Sequence, residues 1–141
     1  MKFLKQILLA LLLTSSVTGA EAKSIQAKHV YMFGFSASFK DSVVYITDIQ
    51  DIPGAWIDSQ TKFLLSRDNY AYQLRNYMTD SLGLADRVNM VMFALKKHKA
   101  EKLYEKLRKK YLGSKKKPAN YDVRYVSQQD FRFELIDMSP E

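Results

Sequence analysis

Half of the basic residues of this 141-residue chain fall in 22 consecutive positions. Residues 96–117, KKHKAEKLYEKLRKKYLGSKKK, hold eleven Lys and Arg against two Glu, a net charge of +9. Ammonium groups at that density suit the holding of phosphate, sulfate or carboxylate groups rather than the making and breaking of bonds. At 100° per residue, Lys99, Lys102, Lys106, Lys109 and Lys110 share one flank of a helix, with Glu101, Glu105 and Arg108 on the other. A helix built only for solubility intersperses its signs. Here Glu105 and Lys109 pair favourably, but Lys102, Lys106 and Lys110 repel at i,i+4 spacing, at roughly 0.2–0.5 kcal/mol per pair.

The start of the same segment adds to this. Lys96, Lys97, His98 and Lys99 crowd a helix N-terminus with no Ser, Thr, Asp or Asn to cap it. The macrodipole is positive there, so cations repel it unless an anion sits between them. Trp56, the only tryptophan, lies in a long loop beside Pro53 and Gly54, where its indole offers a stacking face for a sugar ring or a base. If the strands before and after the first helix run parallel, that loop and the 96–99 junction share the strands' carboxyl edge, where open α/β sheets bind ligands. The expected anion-binding set is Lys96, Lys97, His98, Lys99, Lys102, Lys106 and Lys109, with Trp56. An acidic glycan, a lipopolysaccharide phosphate or an acidic protein fits it. Nucleic acid fits less well, because interleaved arginines and paired aromatics are missing.

Residues for catalysis are sparse. The absence of cysteine excludes thiol nucleophiles and Cys-based metal sites. His29 and His98 stand in no metal-ligand spacing, and no nucleophile elbow, phosphate loop or dinucleotide fingerprint occurs, so neither metal nor cofactor is expected. Asp48, Asp51 and Asp58 are close in sequence, and turn formation accounts for most loop aspartates. Two alternatives to the anion-binding reading follow: a small hydrolase using Asp51 or Asp58 as acid or base beside Trp56, and a structural envelope subunit.

The elements that must position these residues are legible. HVYMFGFSASF and SVVYITDI, joined by KDS, predict a β-hairpin with its tip near Lys40 and Asp41. Both faces of the second strand are apolar, which suits a central position. QDIPGAWIDSQTKFLLS reads as irregular. Tyr70, Ala71, Leu74, Tyr77, Met78 and Leu82 form one helical stripe, with Ser66 as N-cap and Gly83 as the stop. The apolar run from Met90 to Leu95 predicts a fully buried strand. The basic helix turns Ala100, Leu103, Tyr104, Leu107 and Tyr111 inward and ends at Gly113, before a KKKPAN linker. YDVRYV and DFRFELID alternate as one or two closing strands. The fold class is α+β (or α/β), a mixed sheet of four to five strands with two helices in the order β-β-α-β-α-β(β), formed by right-handed crossovers.

Residues 1–22 carry Lys2 and Lys5, an apolar run from Ile7 to Leu13, and a small-x-small site at Ala20 and Ala22. That is the pattern of a secretory signal peptide. Its apolar run falls short of the roughly 20 residues needed to span a bilayer, so no membrane span is expected after cleavage. The exported chain, residues 23–141, has the length of one globular domain, destined for the periplasm or beyond. Without cysteine it is not a lipoprotein. Outside residues 96–117 the charge of this domain is −3, so a mildly acidic body carries one basic element. The phrases HVYMFGFSASFKDSVVYITDIQDI, RDNYAYQLRNYM, KKHKAEKLYEKLRKKY and YDVRYVSQQDFRFELIDMS together resemble small exported proteins of the Bacteroidota that have no assigned function. The resemblance implies export from a Gram-negative cell and a single small domain, and it implies no activity and no site residue.

Overall fold

The computed structural model describes residues 23–140; the expected signal peptide lies outside them. Among the described residues seven strands and two helices follow in order: β1 (Ser24–Gln26), β2 (Tyr31–Ala37), β3 (Val43–Thr47), β4 (Gln50–Asp51), β5 (Trp56–Asp58), α1 (Arg67–Asp80), β6 (Val88–Ala94), α2 (Lys97–Leu112) and β7 (Asp122–Val126). The expected class holds: two helices and a mixed sheet of about five strands. β2 is the centre. β6 pairs antiparallel along its whole length on one side, and β3 and β4 do so in turn on the other. β7 then adds to β3 in parallel. β1 and β5 form a separate two-stranded ribbon.

β3 and β4 act as one bent strand. Phe35 faces Ile46 and Met32 faces Gln50, so two residues of β2 lie opposite three residues, a bulge at 47–49. The Thr47 hydroxyl repairs the ladder there, accepting from Gly34 N at 2.8 Å and donating to Asp48 O at 3.1 Å. Gly34 also lets α1 approach, since a Cβ at this position would stand 2.6 Å from Leu74 Cδ2.

β3 and β6 are both antiparallel to β2 and therefore parallel to each other. α1 crosses from β3 over β2 to β6, and α2 returns from β6 to β7 on the far edge. Two crossovers in opposite directions, if both right-handed, put their helices on opposite faces. The core divides accordingly. Val30 and Met32 join Tyr70, Leu74 and Met78 on the α1 face, while Phe33 and Phe35 join Val44 and Ile46 beneath α2.

Several local expectations change. Ser66 takes the N-cap position of α1, but with left-handed backbone (φ 61°) and no side-chain cap; its hydroxyl meets Asn69 Nδ2 at 2.6 Å instead. The stretch read as irregular contains β4 and β5, because Gln50 and Trp56 find distant partners. The run from Met90 is not fully buried: β6 is an edge strand with Val88 46% and Met90 40% exposed.

DFRFELID alternates as expected, with Phe131 and Phe133 inward, yet it joins no sheet. Side-chain amides take the place of a ladder. Buried Gln50 donates to Phe131 O at 3.0 Å and accepts from Phe133 N at 2.8 Å. Gln73 donates to Glu134 O and accepts from Glu134 N, and the Tyr70 hydroxyl accepts from Ile136 N at 3.1 Å. Burial pushes the Tyr70 hydroxyl above its ordinary value, against the smaller lowering by the Ile136 N–H. The neutral anchor is therefore kept below about pH 10 and lost as pH rises through its folded value.

Gln50→Leu preserves volume but strands a buried carbonyl and a buried N–H. A loss of roughly 3 kcal/mol in urea unfolding is expected. A loss below 0.5 kcal/mol would mean that the amide does not hold the tail.

Candidate anion-binding surface

α2 is oriented by its aromatic residues. Tyr104 meets Phe33 edge-on at 5.4 Å between ring centroids, and Tyr111 meets Phe35 at 4.9 Å. With Ala100 buried and Leu107 packed on the same cluster, the inward stripe has spacings of four, three and four. Leu103 falls outside it. The expectation that Leu103 packs inward is corrected: it is 40% exposed and turns toward the open edge of β6.

Around Leu103, the side chains of Lys99, Lys102 and Lys106 join Phe93 and Ala94 to line a shallow depression of 430 Å³. Among the described residues, none of these three ammonium groups has an ion pair or hydrogen bond. The opposite flank is neutralised. Arg108 Nη2 stands 3.0 Å from Glu105 Oε2, and Glu105 first, with Tyr125 after it, holds the guanidinium's pKa above its ordinary value. The one-sidedness of charge is thus a property of the folded helix as well as of its sequence.

The remaining expected residues separate. Lys96, Lys97 and His98 are exposed at the start of α2, where Lys96 is the N-cap, extended and without a side-chain cap, and the first turn has no acid. Lys109 and Lys110 lie in the last turn, where the macrodipole favours cations. They line a different depression with Gly113, Ser114 and Lys117. Trp56 pairs with Gln26 in the β1–β5 ribbon. Its neighbour Ile57 enters the core on the α1 face, whereas the lysine row belongs to the helix on the other face. β3 and β6 run parallel, so the Trp56 stretch and the 96–99 junction both follow strand carboxyl ends. Trp56 nonetheless does not line the depression that Lys99, Lys102 and Lys106 share.

The three aspartates do not converge either. Asp48 Oδ2 accepts from Gln128 N at 3.1 Å and fixes the turn after β7. Asp51 Oδ2 lies 2.9 Å from His29 Nδ1, and His29 stacks on Tyr31. Asp51 Oδ1 is buried without a partner. Asp58 accepts from the Thr61 and Gln60 N–H groups, closing the turn after β5, and these bonds hold its carboxyl below the ordinary value. Among the described residues no three His, Asp or Glu side chains gather as a metal site, and no helix is long and apolar enough to cross a membrane.

One buried cation was not anticipated. Arg87, whose side chain is 2% exposed, donates to Ser36 Oγ, Ser36 O and Val43 O and pairs with Asp41, with its guanidinium 5.0 Å over the Tyr45 ring. Its donors are spent on closing the hairpin end of the sheet, so it is not a free ligand group. The isolated charge between Asp86 and Val88 gave no sign of this; only the pairing of β6 with β2 brings it to the hairpin.

Compared with known proteins, the chain is matched by no family model, no curated protein and no solved structure.

Because its folded pKa is depressed, Asp58 contributes stability that is present above the unfolded value and lost as pH falls through the folded one. Asp58→Asn should therefore flatten the loss of melting temperature below about pH 4. An unchanged acid limb would show that the turn does not depend on the carboxylate.

Proposed function

We propose that the chain is an exported, non-catalytic domain that binds an anionic partner through the outward flank of α2. The observation that carries this reading is the uncompensated row Lys99, Lys102 and Lys106 beside the apolar Phe93 and Leu103. Three ammonium groups on successive turns attract one another's counter-charge, and the neighbouring apolar surface excludes part of the water that would screen it. An anion bridging them would turn the like-charge cost along the helix into a gain. Lys96, Lys97 and His98 extend the same field past the helix start. Lys109 has its own structural reason at the helix end and assists only from a distance.

The test is retention on immobilised heparin as salt is raised. Wild-type protein should elute well above physiological ionic strength. Lys99→Glu, Lys102→Glu and Lys106→Glu together should abolish retention without altering the circular dichroism spectrum. The same change at Lys115, Lys116 and Lys117 alters net charge equally but should leave most of the retention. If both triple variants elute together, net charge alone is responsible and the α2 surface is ordinary solvated helix.

A further inference from the structure

Among the described residues β6 presents its outer side to no other strand: each of its seven residues pairs with β2, and no described residue pairs with it beyond. Which backbone groups face outward follows from two hydrogen bonds. Arg67 Nε reaches Val91 O from outside at 2.6 Å, and Gly34 N, opposite Val91, turns away to Thr47. Gly34 and Val91 therefore form a wide pair of the antiparallel ladder, and Asn89, Val91 and Phe93 direct their peptide groups outward. Side chains plug part of this edge: Asn89 Nδ2 holds Arg87 O, and Arg67 holds Val91 O. The usual deterrents to strand addition, a proline, an inward charge or a bulge, are absent from VNMVMFA.

A furrow runs along each face of this edge. On the α2 side lies the depression of Ala94, Leu103, Lys99, Lys102 and Lys106, with Phe93 at its rim and the Phe93 ring itself turned to the α1 side beneath Arg67. On the α1 side, Ala71, Asn89 and Val91 line a second one, bordered by Arg67 and Asp68 and continued by Tyr72, Arg75 and Asp86. Added strands send alternate side chains to opposite faces. An open edge between two furrows has the form such a strand requires.

Charge selects the occupant. A second copy of this chain, pairing β6 to β6 about a two-fold axis normal to the sheet, would set the two α2 helices on the same face with their lysine rows opposed, a like-charge contact. An extended acidic segment meets the lysine row instead on the α2 side, while the α1 side is mixed, with Arg67 and Arg75 beside Asp68 and Asp86, and asks for no second row of acids. We infer that the partner is an acidic polypeptide that adds as an extra strand to β6, its carboxylates meeting Lys99, Lys102 and Lys106. This rests on the anion-binding reading above and specifies its partner.

The probe is a seven-residue peptide of alternating Glu and Val, blocked at both ends, compared with forms N-methylated at every second residue in either register. The plain peptide should bind. One methylated register should bind about ten-fold more weakly or worse, the equivalent of one to two backbone hydrogen bonds. The Asn89, Val91 and Phe93 amide protons should gain protection from exchange, and the Lys99, Lys102 and Lys106 reversals should abolish binding. Equal binding of all three peptides overturns strand addition while leaving the anion surface standing. So does retention on heparin without peptide binding. Loss of both heparin and peptide binding overturns the anion reading itself, and a dimer whose interface is β6 overturns the choice of partner.

Discussion

β2 is enclosed on both faces and both sides, and the rest of the structure follows from that. A strand so placed cannot spare either row of side chains, so residues 30–36 are all buried except Tyr31. Each face then needs its own cover. The two crossovers provide it, one helix to a face, and in crossing they carry β6 and β7 to opposite margins of the sheet. Gly34 is where this enclosure is tightest, because three layers meet within the reach of one absent methyl group. Closeness at the centre leaves the margins to bear the exposed apolar surface.

The margins differ in kind. β7 continues the parallel pairing with β3, and its outer residues Asp122 and Arg124 bond to each other at 2.9 Å. Tyr121 and Tyr125 flank them, with Tyr121 edge-on to Tyr111. That pair leaves no uncompensated charge beside β7, although the outer backbone of β7 is as unpaired among the described residues as that of β6. β6 has only two side-chain plugs on carbonyls and a lysine row without counter-charge. The asymmetry sets the functional reading at β6 rather than at the opposite margin.

Much of the fold was legible because local pattern and tertiary demand agree. The β2–β3 hairpin, the Tyr70–Leu74–Met78 stripe and the stop of α2 at Gly113 each declare themselves in β-branched, periodic or glycine positions. What was not legible depended on partners far away in the chain. An unbroken apolar run says that a strand touches a core, but not that Val88 and Met90 would overhang its edge. Leu103 lies on the helical stripe by angle, and only the positions of Phe33 and Phe35 turn the helix so that it faces outward. The lysine flank needed nothing but helical spacing, so the charged part of the candidate surface was readable. Its apolar floor and the open strand beside it were not. Gln50 and Gln73 are the clearest case: no periodicity marks a polar side chain that imitates a strand.

The tail they hold also sets the order in which the molecule can be completed. Phe131 and Phe133 close the core over Tyr70, Tyr77 and the far end of β4, from positions more than fifty residues beyond the helix they cover. A chain still emerging from the ribosome lacks that cover until residues 131–133 have been made. Until then the α1 side stays wet, and Gln50 is solvated like any surface amide. Vectorial synthesis therefore leaves one face of the sheet incompletely covered while the other already has its helix, so the two halves of the core are completed at different times.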